Sequence, residues 1–537
     1  MGLLLNTLSP AVLYEEMAES TYFVDKTAFI GQMLQRIGTN GKYVCITRPR
    51  RFGKTVMANM LGAFLTKSAA TKKLFAQLNI GRDAEAMQHI NQYNVIYIDF
   101  SRISSNDYQS YIDNIAEVLK NDLHKAYPDV DYRAAGGVAE DLERITAATG
   151  ERFIFIFDEW DAIFHAAFIS EDDRKKYLLF LKDLLKDRVY VQLAYMTGVL
   201  PISKYTSGSE LNTFAEYNMA TMSLYSDVFG FNDTEVDALF AKYQALTAQP
   251  QVTREGLKIW YDGYHTAAGN LLYNPRSVVM ALQNNQLYNY WTSSGPYDEL
   301  FYYIRNNVTA VRDDLALMAA GERIPLKIQE YAAMLLELNT KQQIFSAMVV
   351  YGLLTYENGK VFIPNKELMD KFDEMIQKEA SLGYVYRLAK ESERMLEATL
   401  YGDTETMETI LSYVHNTETP ILSYNNEIEL SAIVNLAYLA ARDRYRVERE
   451  DKSGKGYVDF IFYPVDKTDT CIILELKVNH TPEEAIQQIK DKEYILRFLG
   501  KLGEEPKYTG EILGVGISYN KETKVHKCKI EILRNRI

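Results

Sequence analysis

Gly53-Lys54-Thr55 stands between an apolar run, Tyr43 to Thr47, and a stretch with helical spacing from Lys54 to Thr66. A strand that turns through glycine into a helix presents a row of backbone N–H groups and the positive end of the helix, and both favour phosphate. Lys54 would reach the β- and γ-phosphates of ATP, and the Thr55 hydroxyl would bind Mg²⁺. Arg50, Arg51, Phe52 and Gly53 belong to the same loop and are candidate nucleotide contacts. About a hundred residues later, Phe153-Ile-Phe-Ile-Phe157 runs straight into Asp158-Glu159. Asp158 would hold Mg²⁺ through water, and Glu159 would polarise the attacking water as general base. A third apolar run, Tyr190 to Met196, ends at Thr197-Gly198, where a polar side chain can read the γ-phosphate. A plain Thr-Gly turn is the alternative there.

Arg48 stands where such a loop usually begins with glycine, a residue that permits left-handed backbone. Arg48, Arg50 and Arg51 repel one another at this spacing, which calls for an anionic partner. They could bind phosphates in cis or act as arginine fingers on a neighbouring copy in a homo-oligomer. A solvated basic turn is the bland alternative.

A second group of charges lies near the other end of the chain. Asp459 sits inside the apolar run Tyr457 to Tyr463, and Glu475-Leu476-Lys477 sits inside Cys471 to Val478. Alternation along a strand puts Glu475 and Lys477 on one face. Charges in so apolar a setting need compensation, because burying them unpaired is costly. A metal site supplies it. Asp459 and Glu475 could share Mg²⁺, with the carbonyl of Leu476 as a further ligand and Glu427 as an additional one. The metal would lower the pKa of bound water, Lys477 would position that water or neutralise charge, and Gln488 could orient water or a phosphate. An internal Glu–Lys pair on a half-exposed strand is the alternative.

The elements that must position these groups follow from the hydrophobic pattern. Near-continuous apolar strands at Tyr43–Thr47, Val95–Phe100, Phe153–Phe157 and Tyr190–Met196, separated by helical stretches, predict a mainly parallel sheet covered on both faces. From about Asn232 to Tyr351 the pattern is helical. The Asn358-Gly359 pair then predicts a hairpin between Leu353–Glu357 and Lys360–Pro364. A helix followed by such a hairpin suggests a winged-helix module or a plain helical subdomain with one hairpin. Residues from Lys366 to Tyr413 read as helical. After Asn426 the order is a helix over Glu427–Ala441, two strands, a helix over Pro482–Leu499 with proline in its first turn, and two more strands.

Composition bounds the rest. The 537 residues predict three or four folded units, and 47% hydrophobic content is that of ordinary globular domains. With 59 basic against 72 acidic residues, net −13, any nucleic-acid site must be local rather than a diffuse basic coat. Cys45, Cys471 and Cys528 are far apart and form no metal-ligand or disulfide spacing. No apolar run is long enough to span a bilayer, and the start lacks a charged leader, so no membrane partner and a cytoplasmic location are expected.

With these residues in view, the chain resembles the bacterial AAA-ATPase-like family that carries a PD-(D/E)XK nuclease-superfamily domain. The likeness rests on Tyr22-Phe-Val-Asp25-Lys26-Thr27, Arg48-Pro-Arg-Arg-Phe-Gly-Lys-Thr55, Phe157-Asp-Glu-Trp-Asp161, Met196-Thr-Gly-Val199, Tyr261-Asp-Gly-Tyr264 and Tyr273-Asn-Pro275, then Asp459, Ile473-Leu-Glu-Leu-Lys477 and Gln488. The Arg-Pro-Arg-Arg-Phe-Gly-Lys form is typical of that family, whereas Ser209-Glu210-Leu211-Asn212 departs from its usual Ser-Gly-Leu-Asn-Asn. The resemblance implies an α/β chain. With the pattern above, the expected division is an AAA-like P-loop ATPase domain over 1–225, a helical lid over 226–365 that either contains a winged-helix region or is a plain helical subdomain with one hairpin, a helical connector over 366–411, and a restriction-endonuclease-like domain over 412–537. The function expected is ATP-controlled, Mg²⁺-dependent cleavage of nucleic acid. The alternative is a nucleotide-driven switch or binding protein whose nuclease-like domain does not cut.

Overall fold

The computed structural model describes residues 2–202, 213–291, 308–328, 338, 340–417, 427–453, 456–498 and 507–537. The Ser209–Asn212 stretch lies outside the described residues. Two compact units are formed, one from Met1–Gly295 with Leu326–Glu367, the other from Pro296–Pro325 with Leu368–Ile537.

The first unit is built on five strands: β1 Tyr43–Thr47, β2 Asn94–Asp99, β3 Phe153–Asp158, β4 Val191–Gly198 and β5 Ala215–Tyr217. They lie in the order β2-β3-β4-β1-β5, and every pairing is parallel. β1 and β3 are buried along their whole length, as strands covered on both faces must be. From Phe153 to Phe157 each side chain has 0% exposure. At roughly 1.5–3 kcal/mol per buried side chain, this run fixes β3 firmly enough to carry a costly carboxylate at its end. The registers Phe157↔Met196 and Thr47↔Gly198 bring the C-terminal ends of β3, β4 and β1 side by side. In an open parallel sheet that edge is where ligands bind.

The region after β5 is mainly helical, as expected, but it is broken by a short pairing of Tyr264–His265 with Leu271–Leu272. The break begins at Gly263, whose φ of +101° and carbonyl neighbour (Pro364 O, 2.0 Å from any added Cβ) exclude a side chain. The Asn358-Gly359 hairpin is present, with strands Thr355–Glu357 and Lys360–Phe362 and positive φ at both turn residues. It follows the helix Lys341–Val350, which a Thr340/Gln343 capping box starts.

The second unit contains a mixed sheet of Tyr445–Ser453, Gly456–Pro464, Cys471–Val478, Ile512–Asn520 and Val525–Arg534, in that order. Cys471–Val478 and Ile512–Asn520 run parallel, joined through the helix Pro482–Asp491. That helix sits so close to the sheet that a Cβ on Gly516 would come within 2.3 Å of the Pro482 carbonyl. It ends earlier than the pattern suggested, because Glu493 adopts φ +55° and a 3₁₀ turn, Tyr494–Arg497, follows. The helix from Glu427 likewise stops at Ala437 and gives way to a 3₁₀ turn, Leu439–Asp443. All three cysteines are buried and free. Among the described residues no helix is long and apolar enough to cross a membrane.

Candidate functional site

β1 delivers the chain into a loop that climbs from Arg48 to Gly53 and opens the Lys54–Leu65 helix. Arg51 and Gly53 hold φ of +69° and +87°. Glycine takes that conformation freely; for Arg51 it is strained, so bonds from outside the loop must hold it. Phe52, fully buried, anchors the loop edge-on to Tyr264 with ring centroids 4.9 Å apart.

The basic cluster is divided among three environments. Arg48 is 1% exposed, donates to the carbonyls of Thr47, Tyr217 and Tyr225 at 2.7–2.8 Å, and lies 5.0 Å above the Phe229 ring. It is built into the wall at the base of the loop and is neither a solvated turn residue nor turned to the cavity. Arg51 donates to the Tyr290 carbonyl. Arg50 is half-buried on the wall of a cavity of about 1040 Å³.

That cavity, large enough for a nucleotide, is also lined by Arg51, Phe52, Gly53, Lys54, Thr55 and Glu159. Lys54 is 3% exposed; its ammonium donates to the carbonyls of Arg48 and Pro49, each at 3.2 Å, and lies 3.7 Å from Glu159 Oε1. Asp158 is fully buried at the end of β3, and Thr197, equally buried at the end of β4, donates its hydroxyl to Asp158 Oδ1. Oδ2 is buried and takes no well-formed hydrogen bond among the described residues, although the Thr55 hydroxyl is close enough to favour the ionised form. Burial pushes the Asp158 carboxyl up to about 6, Thr197 and Thr55 draw it down, and neighbouring Glu159 and Asp99 push it up again. Thr197 therefore meets the carboxylate behind the cavity, while Lys54, Thr55 and Glu159 face it.

Several residues join the site that motif spacing alone did not single out. Asp161, 1% exposed, accepts the N–H groups of Val199 and Leu200 at 2.8 and 2.6 Å, so the turn after β3 holds the chain leaving β4. Asp99, at the end of β2, and Arg102 stand on the cavity wall 2.8 Å apart. Tyr22, Phe23 and Val24 form an apolar wall with Val228, Phe231 and Val279, and Arg276 adds a cation to it. Arg276 is placed by Asn274, which caps the Pro275–Asn284 helix through the Ser277 N–H. The Tyr-Asn-Pro triplet carried that capping signal in the sequence.

In the second unit, Gly456–Pro464 pairs antiparallel with Cys471–Val478 in the register Phe460↔Leu474, and its continuation sets Asp459 beside Glu475. Asp459 Oδ2 accepts the Leu476 N–H at 2.7 Å. Glu475 is 3% exposed; its Oε1 receives Gln488 Nε2 and lies 3.3 Å from Lys477 Nζ. Its Oε2 is buried without a hydrogen-bond partner among the described residues. Burial, then the charge of Asp459, pushes the Glu475 carboxyl up to about 8 against the pull of Lys477. Asp459 is raised too, by burial first, with Glu427 adding to it and the Leu476 N–H, Lys477 and Arg449 opposing. Glu427 is exposed at the start of its helix. It acts on Asp459 through its charge, and among the described residues no three His, Cys, Asp or Glu side chains converge as a ligand set. The four residues brought together are Asp459, Glu475, Lys477 and Gln488.

Comparison with curated proteins finds no match. Among solved structures, the chain is similar to a Walker-type ATPase of Pyrococcus abyssi at 10% identity, over 65% of this chain and 94% of that one, with a TM-score of 0.38. It is also similar to the ORC2 protein of Aeropyrum pernix in its ADPNP–ADP complexes, at 12% identity, 69% and 94% coverage and a TM-score of 0.32. A signal transduction ATPase with numerous domains and a tetratricopeptide repeat sensor, from Pyrococcus horikoshii, gives 15% identity, 78% and 53% coverage and a TM-score of 0.24. Residues 13–206 match a family described as predicted AAA-ATPase, and residues 429–528 match the PD-(D/E)XK nuclease superfamily. The chain thus combines an AAA-ATPase-like segment with a C-terminal nuclease-superfamily segment.

Proposed function

We propose that the first unit binds and hydrolyses ATP, and that its nucleotide state controls a divalent-cation-dependent nuclease-like site in the second unit that acts on nucleic acid. The observation that carries the reading is the arrangement of Lys54, Thr55 and Glu159 around one large cavity, with the buried Asp158 behind Thr55. The loop N–H groups and Lys54 would hold the phosphates, Lys54 leaving the carbonyls of Arg48 and Pro49 to do so. Glu159, free of Lys54 at that point, would hold the attacking water and accept its proton. Thr55 and Asp158 would hold Mg²⁺, for which Asp158 Oδ2, buried and without a well-formed hydrogen bond among the described residues, is suited; when bound, the ion neutralises phosphate charge. The apolar wall from Tyr22 to Val24 suits a flat base. Arg50 would meet a phosphate in its own cavity or, in a homo-oligomer, in a neighbour's.

In the second unit Asp459 and Glu475 would hold the cation, Mg²⁺, and Glu475 Oε2, buried without a hydrogen-bond partner among the described residues, fits a ligand oxygen. When bound, such an ion lowers the pKa of water and offsets charge developing on a phosphate. Lys477 would position the water, and Gln488 would keep Glu475 turned toward the ion. The test is Mg²⁺-dependent cleavage of labelled DNA and RNA, with and without ATP, by wild type, Lys54→Ala and Glu475→Ala. Cleavage lost in Glu475→Ala and no longer ATP-dependent in Lys54→Ala supports the reading. ATP turnover with no cleavage under any condition overturns its nuclease half.

A second reading, a nucleotide-driven switch whose C-terminal domain binds without cutting, is favoured by one observation. Gln488 and Lys477 already occupy Glu475 Oε1, and burial and the charge of Asp459 push the Glu475 carboxyl toward its neutral form.

A further inference from the structure

Glu367 has no part in the chemistry above, yet it is a fully enclosed carboxylate, at 0% exposure. Its Oε1 accepts the backbone N–H groups of Tyr290 and Trp291 at 2.7 and 2.8 Å, and the Ser277 hydroxyl lies 3.0 and 2.9 Å from its two oxygens. The side chain of Asn289 donates to the Glu367 carbonyl at 2.9 Å. Glu367 therefore gathers the 289–291 segment and the Pro275–Asn284 helix around itself.

The two residues whose N–H groups it holds are those that hold the phosphate loop. The indole N–H of Trp291 donates to the Arg50 carbonyl at 3.1 Å, and Arg51 donates to the Tyr290 carbonyl. The Trp291 ring is also packed in place. A Cβ on Gly352 would come within 2.6 Å of Pro49 and 3.4 Å of that ring, so the loop, the indole and the Gly352 turn are in close contact. The loop needs such support, since Arg51 holds a left-handed φ that its own side chain disfavours. A buried acid is costly even when hydrogen-bonded. Burial pushes Glu367 up to about 7 despite four opposing influences, among them the charge of Arg51. A group retained at that cost has a use, and the bonds running from it to the loop supply one.

We infer that Glu367 is a positioning residue for nucleotide binding: through Tyr290 and Trp291 it holds Arg50-Arg51 so that the loop N–H groups face the phosphates. It acts on the grip of the loop and not on the attacking water. The inference rests on the ATP-binding reading, and Lys54→Ala serves as its control.

The test compares ATP affinity by calorimetry, and KM and kcat for hydrolysis, in the full-length chain and in Glu367→Ala, Glu367→Gln and Trp291→Phe. Glu367→Ala is expected to weaken ATP binding and raise KM about tenfold while kcat stays within about twofold. Glu367→Gln keeps an oxygen acceptor for both N–H groups and is expected to stay within about threefold of wild type. Trp291→Phe keeps one aromatic ring but removes the bond to the Arg50 carbonyl and the outer part of the indole beside Gly352, so it tests the chain of contacts even if Glu367→Ala does not fold; its KM is expected to rise at least threefold. ATP affinity unchanged in Trp291→Phe and in whichever Glu367 variants fold overturns the inference, as does a fall in kcat with KM unchanged. If wild type and Lys54→Ala alike fail to bind ATP, the underlying reading fails. If Lys54→Ala alone loses binding and the other variants do not, only the role of Glu367 fails.

Discussion

The Lys54 ammonium lies 3.7 Å from Glu159 Oε1 and donates at the same time to the carbonyls of Arg48 and Pro49. Cation and candidate base thus occupy one another across the place where the phosphates would lie. ATP binding must separate them, so removing the Glu159 charge removes a competitor for Lys54. Glu159→Gln is expected to bind ATP as tightly as wild type or somewhat more tightly. Its turnover should fall by about 10²–10⁴, the usual contribution of a positioned acid or base. Calorimetric ATP binding and single-turnover hydrolysis check this; weaker binding with near-normal turnover would remove Glu159 from the chemistry.

Arg48 gives the opposite expectation. Its guanidinium is enclosed and donates to three carbonyls, so Arg48→Met leaves those acceptors buried and unsatisfied. At about 1–3 kcal/mol for an orphaned buried group, the loss is expected to exceed about 3 kcal/mol of stability. All three tryptophans, Trp160, Trp260 and Trp291, belong to the first unit, so tryptophan fluorescence during urea unfolding reads that unit alone. A variant as stable as wild type but unable to bind ATP would return Arg48 to the phosphate contacts.

Glu367 should leave a mark on pH dependence. Its carboxyl, ordinarily near 4.5, is pushed up to about 7 by burial. The folded state therefore holds a proton that the unfolded chain releases between those values. Stability from this group is fully present below pH 4.5 and is lost as the pH rises through 7, by about 3 kcal/mol. Asp158, raised to about 6, slopes the same way, so only a difference isolates Glu367. Between pH 4.5 and pH 8 the stability of Glu367→Gln relative to wild type, read by tryptophan fluorescence, is expected to shift toward the variant by about that amount. A difference that stays constant with pH would mean that the carboxylate is not held dry.

What could be read from the chain in advance follows distance along it. Gly53-Lys54-Thr55 and the Phe157-Asp158-Glu159 turn each lie within a few residues of the strand that positions them, so a local pattern carries both. Asn358-Gly359 is legible for the same reason, since the positive φ of the turn is written in its two residues. Arg48 was not legible. Three arginines in four positions call for an anionic partner, and only the fold brings the carbonyls of β5 and the Tyr225 turn that enclose one of them instead. Glu367 lay further out of reach, because its partners Ser277, Tyr290 and Trp291 come from 76 to 90 positions earlier and only the fold assembles them. In the C-terminal unit, strand alternation paired Glu475 with Lys477 correctly, but alternation carries no information about how far an exposed helix start such as Glu427 stands from the pair.

Burial and the charge of Asp459 raise the pKa of Glu475, and burial raises that of Asp459, against the pull of Lys477. Without a bound ion, two carboxylates there oppose folding, and an ion that binds both offsets the repulsion. Glu475→Gln is therefore expected to do two things at once. At pH 8 it should stabilise the ion-free C-terminal unit by about 1–2 kcal/mol, a few degrees in the calorimetric transition that tryptophan fluorescence does not follow. It should also abolish the upward shift that millimolar Mg²⁺ or Mn²⁺ gives the wild type, together with any cleavage. Gln488→Ala, which frees Glu475 without changing its charge, should keep the metal shift and lower cleavage. If the ions stabilise Glu475→Gln as much as wild type, they bind elsewhere, and the Asp459–Glu475 pair is left as an internal carboxyl pair sharing a proton beside Lys477.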